Sequence, residues 1–238
     1  MLLSQGICLN SKGHIIQQCC ERSGCFPHLA CCEQMQMNRR YCLSIYEKIQ
    51  KEITVNMSLS SHLQTFPVLD TERLLLRQME QEDAKDIYLF LSDEETMRFY
   101  DAPFTQFEQA EKSIARHQKR FADQEAIRWG ITLKGEDRVI GNCGYSWDAE
   151  NFGARLSYIL AKPYWNKGIM SEALAAILQF GFTSCQLHRI EAEVALPNHA
   201  SAQVLRKLGF QEEGLLRERL YVDNQFYDEK MFALLNKR

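Results

Sequence analysis

Residues 158–174 read YILAKPYWNKGIMSEAL, which has the pattern of an apolar strand, a short turn and the start of a helix. The strand ends at Pro163, and the turn contains Asn166, Lys167 and Gly168. Glycine lets a backbone approach an anion closely, and the unpaired N–H groups at a helix amino terminus attract phosphate. The stretch therefore fits a phosphate or pyrophosphate site, although an ordinary strand-to-helix turn has the same pattern. It contains neither a P-loop nor a Gly-x-Gly-x-x-Gly fingerprint.

A second strand–helix unit follows at residues 189–214, RIEAEVALPNHASAQVLRKLGFQEEG. Asn198 stands where its strand ends, and Ser201 lies one turn into its helix. An asparagine at this position either caps the helix or pairs its side-chain amide with an amide-containing ligand. A serine in a first turn is more often solvated than catalytic. Neither residue identifies a function alone.

Hydrophobic periodicity indicates the elements around these two units. Their order is strand, two helices, three strands, helix, strand, helix, two strands. Because strands and helices do not alternate strictly, the sequence predicts a mixed α/β fold whose sheet is not all parallel. We predict strands at 71–79, 127–133, 138–147, 154–160, 188–196, 211–222 and 226–234, and helices at 80–100, 106–123, 168–184 and 200–208.

Composition divides the 238 residues into two parts. Seven of the nine cysteines fall in residues 1–56, which show no sustained period and hold 6 basic and 4 acidic residues, a balance of +2. Residues 57–238 then hold 22 basic and 27 acidic residues, a balance of −5. We predict that 57–238 is the folded domain. Residues 1–56 are predicted to be a poorly ordered leader, or an untranslated segment ahead of a true start at Met57.

The composition also excludes several classes of protein. No apolar run approaches the roughly 20 residues of a membrane-spanning helix, and no signal peptide is present, which predicts a soluble, cytoplasmic protein. The pI near 6.1 argues against a general nucleic-acid-binding surface. Cys25, His28 and Cys31 are spaced at three residues, but paired Cys-x-x-Cys knuckles are missing from the sequence. We therefore predict no metal site.

Taken together, these stretches resemble the GCN5-related N-acetyltransferases (GNAT), and within them the ribosomal-protein N-terminal acetyltransferases of the Rim type. The opening LDTERLLLRQMEQEDAKDIYLFLSD and the closing LYVDNQFYDEKMFAL contribute to the resemblance, which covers about residues 67–236. It implies a central, mixed, mostly antiparallel twisted sheet of about seven strands flanked by about four helices. It also implies acetyl-CoA as co-substrate.

The resemblance implies roles for individual residues in binding acetyl-CoA. The family's pyrophosphate loop falls on residues 165–170, the strand before it would pair its backbone with the pantetheine amides, and Asn198 would hydrogen-bond the pantetheine arm. The residues implied to bind acetyl-CoA are Tyr158, Ile159, Leu160, Trp165, Asn166, Lys167, Gly168, Ile169, Met170, Ser171 and Asn198.

The resemblance also implies a catalytic arrangement. Ser201 would protonate the departing thiolate, and a backbone N–H near Leu160 would stabilise the oxyanion. An ammonium group must lose a proton before it can attack a thioester. Glu191, Glu193 and Glu218 are candidates for the base, and a water chain is an alternative. We take Glu193 as the predicted base.

The predicted function is transfer of an acetyl group to a primary amine, foremost the N-terminal α-amino group of a ribosomal or other protein. The negative balance of the domain suits a cationic acceptor, and an α-amino group needs least help from a base because its pKa is about 8. Two alternatives stay open: acetylation of a polyamine or amino-sugar antibiotic, and a non-catalytic acyl-CoA sensor with the cysteine-rich segment as switch. We expect no nucleic-acid or membrane partner, and a homodimer is left open.

Overall fold

A computed structural model of the chain divides into two units, Met1–Lys51 and Glu52–Arg238. In the first unit, strand β1 (Cys8–Leu9) pairs antiparallel with strand β2 (Ile15–Ile16). The other residues of the predicted leader, 1–56, lie outside the part of the chain that the structure describes, so its disorder or untranslated nature stays a prediction. The structure describes residues 8–9, 15–16, 63–148, 151–222 and 224–236.

The second unit contains eight strands and five α-helices among its described residues. The strands are β3 (Leu69–Asp70), β4 (Leu74–Arg77), β5 (Ala126–Leu133), β6 (Val139–Asp148), β7 (Gly153–Leu160), β8 (Arg189–Ala195), β9 (Gln211–Val222) and β10 (Gln225–Leu235). The helices are α1 (Ala84–Leu91), α2 (Glu94–Met97), α3 (Glu108–Ala122), α4 (Ile169–Thr183) and α5 (His199–Lys207).

All eight strands form one sheet in the order β3-β4-β5-β6-β7-β8-β10-β9. Every neighbouring pair is antiparallel except β7 and β8, which are parallel, so the predicted mixed, mostly antiparallel sheet is confirmed. The strand that the sequence did not predict is β3, which has only two residues and is too short to show a hydrophobic period. The sheet therefore has one strand more than predicted.

The predicted helix at 80–100 is interrupted. Helix α1 ends at Leu91, and Asp93 has an extended backbone with φ −79° and ψ 116°. Its carboxylate accepts a hydrogen bond from the backbone N–H of Thr96 at 2.7 Å, which caps α2. Asp and Ser favour helix caps over helix interiors, so the chain divides at this point into two helices.

Helices cover both faces of the sheet. Successive residues of a strand point to opposite faces, and β7 makes this visible: Leu160 packs in the core cluster of α4 and α5, whereas Ile159 packs with residues of α1 and α3. We call these two sides the α4/α5 face and the α1/α3 face. No helix among the described residues is long and apolar enough to span a membrane.

Strands β7 and β8 separate after a short parallel contact. Their pairing runs from Gly153 with Arg189 to Arg155 with Glu191 and then stops. Beyond that point β7 continues to pair with β6, and β8 continues to pair with β10 as far as Ala195. The carboxyl-terminal halves of β7 and β8 therefore diverge and leave a gap in the sheet, which α4 and α5 flank.

Candidate active site

The backbone of β7 presents polar groups to this gap. In an antiparallel ladder, alternate residues point their N–H and C=O groups toward the partner strand. Ala161 donates its N–H to the carbonyl oxygen of Ile140 on the β6 side at 2.8 Å, so Ile159 also faces β6. Tyr158 and Leu160 accordingly direct their backbone groups into the gap, where β8 no longer lies opposite them.

The turn before α4 has an open, left-handed backbone. Asn166 and Gly168 have φ values of +58° and +74°. Gly168 is the amino-terminal cap of α4, and no side chain caps this end. The first backbone N–H groups of the helix, those of Ile169, Met170 and Ser171, therefore lack an intrahelical partner. The Ile169 and Met170 side chains are buried in the core, so these two residues offer only their backbones to a ligand.

Two cations flank this turn. Lys167 is exposed, and its ammonium lies over the Tyr164 ring at 5.6 Å. Arg73, from β3–β4, donates from Nη1 to the Lys167 carbonyl oxygen at 3.0 Å. The Arg73 Nε donates to a carboxylate oxygen of Glu172 at 2.7 Å. Arg73 is a residue that the sequence did not indicate, because nothing in its local pattern connects it to a turn 94 residues away.

The first turn of α4 is held to the sheet through Glu172. Burial alone would raise the pKa of Glu172, but hydrogen bonds from Thr71 and Arg73 outweigh that effect and lower it. The Thr71 hydroxyl donates to the Glu172 carboxylate at 2.6 Å. On the other side of the turn, the Trp165 indole N–H donates to the carbonyl oxygen of Leu160 at 2.6 Å. The turn is therefore fixed at both ends before any ligand arrives.

A pair of hydroxyl groups bridges the gap. The Tyr158 hydroxyl lies 2.6 Å from Oγ of Ser201 in the first turn of α5. Burial raises the pKa of Tyr158 to about 12, although the hydrogen bond with Ser201 acts in the opposite direction. Tyr158 is therefore a neutral phenol at ordinary pH. The sequence indicated the backbone of this tyrosine but not its side chain.

Asn198 has a side chain that can make two kinds of contact at once. Its Oδ1 accepts a hydrogen bond from the Ser201 backbone N–H at 3.1 Å, so it caps α5. Its side-chain N–H groups have no hydrogen-bond partner among the described residues. The helix cap and the ligand contact, which the sequence left as alternatives, are thus compatible.

Carboxylates lie beside the gap on the α1/α3 face. Glu193 is on β8, and its carboxylate lies 3.6 Å from Arg155 and 3.9 Å from Arg219. Glu229 on β10 is opposite Ala195, two residues further along β8, so it shares this face with Glu193. The pKa of Glu229 is raised, first by burial and second by the charge of Glu193. The sequence did not single out Glu229, because only the strand register brings it close to Glu193.

The other two acidic candidates have different surroundings. Glu191 accepts a hydrogen bond from Arg189 at 2.5 Å, at the point where β7 and β8 are still paired. Glu218 is exposed, has φ +50° and lies in an irregular part of the β9–β10 pairing. Its backbone N–H donates to the Asp228 carboxylate at 2.8 Å. Among the three candidates from the sequence, only Glu193 lies on β8 beyond the point where its pairing with β7 stops.

No cluster of three or more His, Cys, Asp or Glu side chains in the described residues could hold a metal ion. Cys143 and Cys185 are buried free thiols, and burial raises the pKa of each to about 12. Neither thiol has the low pKa and the exposure of a reactive cysteine.

The chain is similar to known acetyltransferases. Residues 73–211 match the model of the acetyltransferase (GNAT) domain family. The chain is 40% identical over 171 residues to the uncharacterized N-acetyltransferase p20 of Bacillus licheniformis, covering 71% of this chain and 96% of that relative. It is 30% identical over 111 residues to the [ribosomal protein uS5]-alanine N-acetyltransferase of Escherichia coli, covering 46% of this chain and 57% of that enzyme.

A solved structure has the same fold. The ribosomal L7/L12 α-N-protein acetyltransferase RimL, in complex with coenzyme A, superimposes with a TM-score of 0.66 at 19% identity. The superposition covers 71% of this chain and 98% of that one. The fold is therefore that of the GNAT acetyltransferases, as the sequence predicted.

Proposed function

This chain belongs to the GNAT acetyltransferase family and is an N-acetyltransferase, and from that membership we propose that it transfers the acetyl group of acetyl-CoA to the N-terminal α-amino group of a protein. The observation that carries the proposal is the gap between β7 and β8. Backbone donors line one edge of the gap, the uncapped amino terminus of α4 lies at its end, and the Ser201 hydroxyl lies across it.

The amino terminus of α4 is the proposed pyrophosphate site. The free N–H groups of Ile169, Met170 and Ser171 would donate to phosphate oxygens, and the partial positive charge of the helix end adds to their attraction. The left-handed backbone at Asn166 and Gly168 supports this site because such a turn forms an anion-binding concavity. The complete set proposed to contact the pyrophosphate is Trp165, Asn166, Lys167, Gly168, Ile169, Met170 and Ser171, with Arg73 added from the structure.

The pantetheine arm would lie in the gap itself. Tyr158 and Leu160 direct backbone groups toward it, so an amide-containing arm can add to β7 as an additional strand would. Ile159 lies between them and fixes the strand to β6. The side-chain amide of Asn198 would donate to a pantetheine carbonyl, since its oxygen is already used in the helix cap.

The hydroxyl pair supports a role for Ser201 as the acid. A phenol is a better donor and a poorer acceptor than an aliphatic hydroxyl, so Tyr158 donates to Ser201 in the favoured arrangement. The Ser201 proton is then free to reach the sulfur. As the new C–N bond forms and the C–S bond breaks, Ser201 donates this proton to the thiolate and regains one from solvent. The attacking nitrogen releases its second proton to solvent as the amide forms. The N–H of Leu160 would stabilise the oxyanion.

We propose Glu193 as the base, assisted by Glu229. Arg155 and Arg219 lie 3.6 Å and 3.9 Å from the Glu193 carboxylate and hold it in place beside the gap. Burial and the charge of Glu193 raise the pKa of Glu229, so Glu229 holds a proton more readily than an ordinary glutamate. A proton taken from the acceptor ammonium would pass to Glu193, and Glu229 would be a second proton acceptor nearby.

An α-amino acceptor fits this weak base best. Its pKa is about 8, well below that of a lysine or polyamine amine, so a useful fraction is already neutral. The acceptor is proposed to be a ribosomal or other protein, in line with what the uS5 and L7/L12 enzymes act on by name. Residues 57–238 hold 22 basic and 27 acidic residues, and this negative balance attracts an ammonium group.

The test mixes the purified full-length chain with acetyl-CoA and a panel of amines, and follows thiol release and product mass. The panel contains peptides with free amino termini, the same peptides with blocked amino termini, a polyamine and an amino sugar. Transfer to the free peptides and not to the blocked ones is the expected result. Transfer to the polyamine or amino sugar alone would make this a small-molecule enzyme. Acetyl-CoA binding without transfer to any amine would favour a sensor.

A further inference from the structure

A half-buried arginine crosses the sheet on the α1/α3 face. Arg128 lies on β5 opposite Gly144 of β6, and Gly144 lies opposite Ser157 of β7. A Cβ atom at Gly144 would lie 2.0 Å from the carbonyl oxygen of Ile127, so only glycine fits there. The missing side chain lets the Arg128 guanidinium pass over β6 and reach Ser157, at the edge of the gap.

The partners of this guanidinium are all uncharged. Its Nη1 donates to Oδ1 of Asn142 at 2.9 Å, and to the Tyr100 hydroxyl and the Ser157 carbonyl oxygen at 3.3 Å each. Its Nη2 donates to the Ser157 hydroxyl. These hydrogen bonds occupy Nη1 and one N–H of Nη2. The edge formed by Nε–H and the second Nη2–H has no partner among the described residues, and this edge can bind a carboxylate in a bidentate manner.

The absence of a carboxylate distinguishes Arg128 from comparable residues. A buried charge is normally paired, because the desolvation cost is otherwise uncompensated. Of the four half-buried arginines in the described ranges, Arg128 alone forms no ion pair. The other three pairs are Arg77 with Asp83, Arg120 with Glu125, and Arg189 with Glu191.

The surroundings of Arg128 are also positive. His117 on α3 lies nearby, and its pKa is lowered to about 3 by burial and then by the charges of Arg128, Arg116 and Arg120. His117 is therefore neutral, and it does not compensate the charge of Arg128. On the other side of the gap lie the carboxylates of Glu193 and Glu229, and Arg155 and Arg219 lie within 4 Å of Glu193. Carboxylates are thus present on the β8–β10 side of the α1/α3 face, whereas Arg128 on β5 has only uncharged partners.

We propose that Arg128 binds a carboxylate of the acceptor, so that the preferred acceptors are peptides with an acidic residue close to the amino terminus. The proposal rests on the proposed function, because it takes the reacting amine to lie near Leu160. A strand rises about 3.3 Å per residue, so Ser157 and the bound guanidinium lie about 10 Å from Leu160. An extended peptide whose amino terminus lies near Leu160 spans that distance within about three residues. The side chain of its second or third residue would therefore reach Arg128.

The experiment compares carboxyl-terminally amidated tetrapeptides that differ in one side chain: Ala-Glu-Ala-Ala against Ala-Gln-Ala-Ala, and Ala-Ala-Glu-Ala against Ala-Ala-Gln-Ala. A bidentate, charge-assisted contact predicts that kcat/KM of the wild type is about 10- to 100-fold higher for the Glu member of at least one pair. In Arg128→Gln this preference should vanish, while kcat/KM for the Gln peptides changes little. Arg128→Lys keeps the positive charge but loses the two parallel N–H donors of the guanidinium, so its preference for the Glu peptide should be intermediate.

The matched control is Arg138→Gln, which removes an exposed arginine that pairs with Asp86 away from the gap. It should keep the Glu preference. Binding of the four amino-terminally acetylated peptides in the presence of CoA, measured by calorimetry, repeats the comparison without turnover. Equal binding and equal kcat/KM for Glu and Gln peptides in the wild type would overturn the proposal, as would an undiminished preference in Arg128→Gln. A Glu preference in binding without any transfer would contradict only the proposed function.

Discussion

The two faces of the sheet differ in how their functional groups are distributed along the chain. On the α4/α5 face, most of the groups proposed to bind acetyl-CoA come from two short stretches, residues 158–171 and 198–201. On the α1/α3 face, the groups proposed to act on the acceptor, and the Ser157 that holds one of them, are single residues on four strands: Arg128, Ser157, Glu193 and Glu229. A helix amino terminus brings consecutive backbone N–H groups together, so a short motif suffices for a phosphate site. A side-chain site across strands depends on register.

This difference predicts that substitutions on the two faces affect different kinetic constants. Variants on the α4/α5 face should alter acetyl-CoA binding or turnover with every acceptor. Variants on the α1/α3 face should alter the choice of acceptor.

The largest effect is expected for Ser201→Ala. Removing a general acid typically costs at least about 100-fold in turnover, and we expect kcat to fall by about that factor. The KM for acetyl-CoA should change little, and the loss should be equal for Glu and Gln peptides. Steady-state kinetics measure both constants. A raised KM with an unchanged kcat would make Ser201 a ligand contact only.

Gly168→Asp should weaken acetyl-CoA binding by about 30-fold, or about 2 kcal/mol. The new carboxylate would stand at the amino terminus of α4, where it repels the pyrophosphate, and the residue has φ +74°. The dissociation constant by calorimetry is the measurement. Gly135→Asp is the control because Gly135 also has a left-handed backbone, with φ +84° and open space around it. If both variants bind acetyl-CoA like the wild type, the proposed pyrophosphate site is wrong.

Tyr158→Phe should lower kcat by about fivefold, which corresponds to the loss of one hydrogen bond of about 1 kcal/mol. Ser201 would then lose the donor that orients its hydroxyl. In Ser201→Ala the further change Tyr158→Phe should have no effect on kcat, because Tyr158 acts through Ser201. Tyr88→Phe is the control, since the Tyr88 ring packs on Phe107 away from the gap. Additive losses in the double variant would disprove the coupling.

The smallest effect concerns His117, which reports the positive potential of the α1/α3 face. Its pKa is about 3 in the folded chain and about 6.5 when unfolded, so between these values only the unfolded state takes up the proton. The contribution of His117 to the free energy of unfolding is therefore fully present above about pH 7 and is lost as the pH falls. Between pH 7 and pH 6 this loss is about 0.7 kcal/mol. Urea unfolding at both pH values measures it.

His117→Gln should remove that part of the pH dependence, whereas His188→Gln, which replaces an exposed histidine, should retain it. In Arg128→Gln the pKa of His117 should rise toward its ordinary value, because one of the nearby positive charges is gone. An unchanged His117 pKa in that variant, followed by NMR titration, would contradict the electrostatic description of this face.

Much of the fold was predictable because amphipathic periods are local. The helix at 168–184 and the strand at 154–160 were predicted within one residue of α4 and β7. The break between α1 and α2 was missed, although Ser92 and Asp93 are residues that favour caps. The two-residue β3 was missed because a strand of that length exists only through its pairing with β4.

The sequence by itself determined the family resemblance, the order of the longer elements and the turn before α4. These depend on neighbouring residues, and short-range sterics and hydrophobic periodicity act within one element. Tertiary structure alone decided the Tyr158–Ser201 hydroxyl pair, the contact of Arg73 with the α4 turn and the passage of Arg128 over Gly144. Each of these joins residues from separate elements, because strand register and packing set side-chain distances that the order of residues does not encode locally.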